Sequence, residues 1–179
     1  MNKLGKTRCY LAGPMQFTYN GSSWREDIEK FLTEMDVRVF NPYNKTFLED
    51  FFETADFGGE LMRLAEAKKF SQIAELMSRT RAHDLRLVDM ADFIIAYINT
   101  DIYTCGTFEE IFTANRQKKP IYLVVEGGWA RCPYWLLGAI PMGYIFDSFI
   151  SLKRHLSYLD DGQVEFDRSR WKLLKHDFR

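Results

Sequence analysis

A chain of 179 residues, 46% hydrophobic and 27% charged, predicts one globular domain spanning 1–179 with a full buried core. Lys plus Arg (24) nearly balance Asp plus Glu (25), and a net charge of -1 excludes the broad cationic surface of a nucleic-acid binder. Three widely spaced cysteines (Cys9, Cys105, Cys132) and three histidines (His83, His155, His176) exclude a disulfide framework and a His-rich metal site.

The first strand is expected over residues 8–12, Arg8-Cys9-Tyr10-Leu11-Ala12, stopped by Gly13-Pro14. A helix follows: Ser23-Trp24-Arg25-Glu26 fits a capping box, and Trp24, Ile28, Phe31, Leu32 and Met35 keep helical spacing. Residues 37–40 predict a second strand, closed by Asn41-Pro42. From about Phe47 to Met90 the pattern is helical with a break at Gly58-Gly59, and 47–81 reads as a helical insertion. Strands at 93–98 and 121–125 are apolar on both faces, as in a buried parallel sheet, and a helix from Thr107 to about Gln117 separates them. The last twelve residues, from Arg168, are expected to be a solvated helix or tail packed through Trp171 and Leu174. This alternation predicts an α/β fold, a flavodoxin-like doubly wound and mainly parallel sheet with helices on both faces.

Ligands of such sheets bind beyond the carboxyl ends of the strands, and three segments are expected there. Gly13-Pro14-Met15 follows the first strand, where a glycine lets backbone N–H groups approach a ligand; the same residues also suit an ordinary tight turn. Asp84 and Asp92 are eight apart, close to two helical turns, which places them near one face of the helix feeding the third strand. Either can instead be structural, Asp84 as a solvated charge and Asp92 by bonding neighbouring backbone. The loop from Asn99 through Asp101 to Gly106-Thr107 leads into Glu110, and Thr107-x-x-Glu110 also fits a capping box that would leave Glu110 no other task.

Taken together, Tyr10-Leu11-Ala12-Gly13-Pro14-Met15, then Asp84…Asp92, then Gly106-Thr107-x-x-Glu110-x-x-x-Ala114 and Lys119-Pro120 resemble the nucleoside 2-deoxyribosyltransferase family, which is related to the deoxynucleoside 5'-monophosphate N-glycosidases. The resemblance spans roughly residues 8 to 125. It implies that Glu110 is the nucleophile and that Asp84 assists the leaving base. It places Tyr10 near the sugar, Gly13 and Pro14 along the sugar or phosphate pocket, and Asp101 against the nucleobase. Phe112 stands where a glycine is usual in the family, which alters pocket shape.

The residue types suit the chemistry. Breaking an N-glycosidic bond builds positive charge at C1', which a carboxylate can stabilise and then bond, giving a sugar ester and net retention. A second carboxyl can protonate the departing base. A helix N-terminus is expected to keep Glu110 ionised near neutral pH. Gly13, Asp84, Asp92, Gly106 and Glu110 should therefore surround one cleft, with no cofactor and no metal. The implied partners are a small nucleoside or nucleotide and a second copy of the chain, in a homodimer or larger assembly serving nucleotide salvage. The absence of a signal-peptide run and of ~18 consecutive apolar residues predicts a cytoplasmic protein without a membrane partner. Two alternatives remain at this level: a nucleotide-binding module without catalysis, and a glycohydrolase of another N-riboside.

Overall fold

The computed structural model describes residues 2–15, 23–42 and 57–172. Among the described residues, five parallel strands form one sheet in the order β2-β1-β3-β4-β5: β1 (Arg8–Ala12), β2 (Arg38–Phe40), β3 (Phe93–Ile98), β4 (Ile121–Val125) and β5 (Ile145–Phe146). This is the flavodoxin-like order expected from the alternation, with a short fifth strand added at one edge. The three central strands are almost wholly buried, because helices cover both faces.

Six α-helices flank them among the described residues: α1 (Ser23–Glu34), α2 (Phe57–Glu66), α3 (Phe70–Met90), α4 (Cys105–Arg116), α5 (Tyr134–Leu137) and α6 (Phe149–Asp161). Gly58 and Gly59 lie in the first turn of α2, at the edge of the described residues. A further break follows at Lys68, whose φ of 56° gives the left-handed residue that commonly ends a helix. Lys69 N–H closes that turn on the Leu64 carbonyl at 2.9 Å. Of the segment read as an insertion, residues 47–56 lie outside the described residues.

Parity along the strands decides which helix meets which side chain. Tyr10 is in register with Ile94, so Tyr10, Ile94, Ala96 and Ile98 share one face. Tyr97 points to the other, where Trp24 of α1 and Phe149 of α6 pack against it as tilted rings at centroid distances of 5.6 and 5.4 Å. Two ties hold α3 beside α4: Arg81 binds the Glu109 carboxylate, and Gln117 Nε2 donates to Asp89 Oδ1 at 2.6 Å. The ties are eight residues apart on both helices, so α3 and α4 run parallel. The tail packs Trp171 into the core, and Lys172 N–H bonds the Lys118 carbonyl. Leu174 lies outside the described residues. No helix among the described residues is long and apolar enough to cross a membrane.

Candidate active site

The order of the sheet reverses between β1 and β3, and the candidate site is sought there. Burial on α4 follows Thr107, Glu110, Ile111 and Ala114, a stripe with the spacing of a core-facing helix. Glu110 occupies a core position of that stripe, which takes its carboxyl out of water. On α3 the stripe is Thr80, Asp84 and Val88, so Asp84 is buried for the same reason. The parallel packing of the two helices brings the two acids to similar heights beside the sheet.

Tyr10, wholly buried in β1, donates its hydroxyl to Glu110 Oε1 at 2.6 Å. Burial pushes the Glu110 carboxyl from its ordinary 4.5 up to about 8. The Tyr10 hydrogen bond opposes that shift, the Asp84 charge adds to it, Arg25 opposes it, and Glu109 adds to it. Burial likewise raises Tyr10 well above its ordinary value, helped by the Glu110 and Asp84 charges. The expectation of a helix-end carboxylate ionised at neutral pH is thereby corrected. Helix α4 begins at Cys105, so Glu110 lies beyond the first turn, where the dipole has faded and desolvation dominates. Thr107 is the third helical residue after the Thr104 cap, so Thr107-x-x-Glu110 is no capping box either.

The remaining expected residues divide. Gly13 and Pro14 follow β1 and reach the cluster through Arg25 of α1, whose Nη2 donates to the Gly13 carbonyl at 2.8 Å and Nη1 to that of Pro14 at 3.4 Å. A Cβ on Gly13 would lie 2.7 Å from the Trp24 ring and 3.2 Å from Arg25 Nη2, so the glycine serves close packing of loop against helix. Met15, half-buried, closes this stretch. Thr107 is buried on the α4 stripe, whereas Gly106 is exposed and a Cβ there meets nothing within 4 Å among the described residues. Asp101 is exposed and paired with Arg131, which also binds Thr100 Oγ1 and so links the loops after β3 and β4. Phe112 packs partly buried against the core.

Asp92 belongs elsewhere, against expectation. It immediately precedes β3, at the amino end of the sheet. There its carboxylate accepts from Arg8 N, Nε and Nη2 at 2.8 to 3.0 Å. Helical spacing to Asp84 fails as a guide because α3 ends at Met90. Lys119 is at the same end, donating to the Val88 and Asp89 carbonyls at 2.6 Å each. A cation there satisfies the last carbonyls of α3, so Lys119-Pro120 is a structural part of the motif.

Two residues were missed from sequence. Arg25 is fully buried on the stripe Arg25, Ile28 and Leu32, and its guanidinium lies 4.5 Å from the Trp24 ring centroid. A charged residue in register with two core residues was the available signal. Thr80, one turn before Asp84, has a buried hydroxyl with no hydrogen-bond partner among the described residues. The aromatic segment after β4 also splits: Cys132 and Leu136 are buried, while Tyr134 and Trp135 are 86% and 79% exposed. No group of three or more His, Cys, Asp or Glu among the described residues could hold a metal ion.

With this geometry in place, the sequence profile of the nucleoside 2-deoxyribosyltransferase family matches residues 9–133, from β1 past β4. The chain belongs to the nucleoside 2-deoxyribosyltransferase family. No curated protein matches it in sequence. Among solved structures, it is similar in fold to a 2-deoxyribosyltransferase from Bacillus psychrosaccharolyticus, with a TM-score of 0.57 and 17% identity over 82% of this chain and 90% of that one. A CMP N-glycosidase from Clostridium botulinum superposes at a TM-score of 0.46, with 18% identity over 84% and 98% of the two chains. A conserved protein from Enterococcus faecalis V583 superposes at 0.48, with 14% identity over 86% and 98%.

Proposed function

We propose that the chain cleaves the N-glycosidic bond of a nucleoside or its 5'-monophosphate, with Glu110 as nucleophile. The observation that carries this reading is the buried Glu110 carboxyl, held by the Tyr10 hydroxyl at 2.6 Å within the field of Asp84. Family membership supplies the substrate class. The Tyr10 bond fixes the rotation of the carboxyl and leaves Oε2 as the attacking oxygen. As the C1'–N bond breaks, its electron pair leaves with the base, and Asp84 handles the proton the base takes up. Positive charge at C1' meets the Glu110 carboxylate, and the new C1'–O bond gives a sugar ester. Water or a second base then attacks C1' and releases Glu110, restoring the original configuration.

Burial that makes the carboxylate costly also leaves it poorly solvated, which favours attack once the proton is lost. Gly13, Pro14 and Met15 line the sugar or phosphate side in this reading, and Asp101, Gly106 and Thr107 the base side. A second copy of the chain completes the assembly. Tests use a panel of deoxynucleosides and their 5'-monophosphates, with and without an acceptor base, followed by chromatography. Release or exchange of base that Glu110→Ala abolishes, while nucleotide binding survives, is the expected result. Wild-type base release by Glu110→Ala, or an inverted sugar on trapping with methanol, would overturn it.

A further inference from the structure

Thr80 carries a buried hydroxyl with no hydrogen-bond partner among the described residues, and the proposed reaction gives it no task. A helical threonine commonly settles its hydroxyl on the carbonyl one turn back. Thr33 of α1 does so, donating to Glu29 O at 2.7 Å, and Thr80 does not. A hydroxyl taken out of water and left unpaired is a standing cost to the fold. Its position says what could repay that cost. Helix α4 leaves the carboxyl end of β3 and delivers the chain to the amino end of β4, so it descends along the sheet. Helix α3, tied parallel to it, descends too. The climb from Met90 back to Thr80 is about 15 Å of helix, and Phe93–Ile98 spans about 17 Å as a strand. Thr80 therefore stands level with the carboxyl ends of the strands, where ligands of such sheets bind. It is also the first buried residue of α3, since every residue from Phe70 to Arg79 is exposed or half-buried.

Direct contacts fix Thr80 relative to Glu110. Its chain neighbour Arg81 binds Glu109, the chain neighbour of Glu110. That tie and the one from Gln117 to Asp89 both join residues 28 apart, so Glu110 is level with Ala82, midway between Thr80 and Asp84. Residues four apart share a helix face, with Cβ atoms roughly 5–6 Å apart. Asp84 thus lies about 3 Å below the level of Glu110 and Thr80 about 3 Å above it, toward the mouth. We propose that Thr80 is a substrate-binding residue whose hydroxyl hydrogen-bonds a polar edge atom of the nucleobase, one turn above Asp84. The sugar must cover Glu110 for C1' to meet it, and α3 already serves the base through Asp84 in the proposed reaction. A substrate group that reaches the rim of α3 therefore belongs to the base. A threonine hydroxyl both donates and accepts, so it can meet a ring nitrogen, a carbonyl or an amino group. The inference rests on the proposed placing of sugar and base, and the experiment separates it from the nucleophile reading.

The full chain is compared as wild type, Thr80→Val and Thr80→Ser on deoxynucleosides, their 5'-monophosphates and 4-nitrophenyl 2-deoxyriboside, whose leaving group has no nucleobase edge. Affinity for the free base is read by NMR titration. Thr80→Val keeps the side-chain shape and removes only the hydroxyl. Its melting temperature should equal or exceed that of wild type, because no bond within the protein is lost. Its kcat/KM for base release and its affinity for the free base should both fall about tenfold. Thr80→Ser should recover most of both, and Thr80→Val should turn over the nitrophenyl substrate as wild type does. A melting temperature clearly below wild type would assign the hydroxyl to the fold and overturn the inference. Wild-type base affinity and release in Thr80→Val, or an equal fall on the nitrophenyl substrate, would overturn it as well. Should Glu110→Ala release base at the wild-type rate, the nucleophile reading falls, while the affinity of Thr80→Val for free base still reports the contact.

Discussion

Replacing Glu110 by glutamine tests the burial of this carboxyl without any substrate. Glutamine has the same shape, and its carbonyl oxygen can accept the Tyr10 hydroxyl, so packing is preserved. The folded chain holds the Glu110 proton up to about 8, against an ordinary 4.5. Between those values the folded state keeps a proton that the unfolded state releases, so the contribution of Glu110 to stability falls as pH rises. That contribution is fully present below 4.5 and lost through about 8. Integrated from pH 5 to pH 8.5, the loss is about 4 kcal/mol. Glutamine does not titrate, so Glu110→Gln should gain about 4 kcal/mol relative to wild type over the same interval. Lys119, pushed down to about 8 by burial, titrates in both chains and cancels in the difference. Urea unfolding at pH 5, 6.5 and 8.5 measures it. A gain below about 1 kcal/mol would refute the assignment of desolvation as the dominant influence on this carboxyl.

Tyr10→Phe removes a hydrogen bond to the ionised form of Glu110, of a kind worth roughly 1.5–3 kcal/mol. The acidic limb of kcat/KM should move upward by about one to two pH units, and an unmoved limb would detach Tyr10 from Glu110. Asp92→Ala removes the acceptor of three Arg8 donors at the amino end of the sheet. It should cost roughly 2–4 kcal/mol in denaturant unfolding. Its kcat/KM at a temperature where it is folded should match wild type, and a tenfold fall would return Asp92 to the cleft.

Legibility of the fold followed the strength of each pattern. Strands β3 and β4 are at the residues expected because both faces are apolar, which few other segments of this length permit. The fifth strand has two residues, Ile145 and Phe146, too few for any periodicity to register. Gly58 and Gly59 stand in the first turn of α2, where a glycine costs less than the ~1 kcal/mol of a helix interior and a buried Leu61 follows. The break at Lys68 carried no signal, because lysine is not a residue that marks a left-handed turn. Within the site, Tyr10, Asp84 and Glu110 were legible through the family resemblance, and Gly13 and Pro14 with them. Asp92 failed because helical spacing was extended across a helix end. Arg25 is missed because the core stripe is drawn through Trp24, Ile28, Phe31, Leu32 and Met35, whereas burial on α1 follows Arg25, Ile28 and Leu32.

That last error identifies a physical signature. On α1, α3 and α4 the buried stripes run Arg25-Ile28-Leu32, Thr80-Asp84-Val88 and Thr107-Glu110-Ile111-Ala114. Each stripe carries one ionisable residue where helix geometry demands an apolar one. A single such residue is a local cost, offset by hydrogen bonds. Two of them fall on neighbouring helices on one face of the sheet, and the Asp84 charge adds to the cost of ionising Glu110. The doubly wound order leaves room for a substrate in the proposed site: β2 and β3 lie on opposite sides of β1, so the connections leaving β1 and β3 diverge and leave a gap at their carboxyl ends. In the proposed reaction, the charge that Glu110 presents is therefore set by its burial and its neighbours as much as by the carboxyl itself.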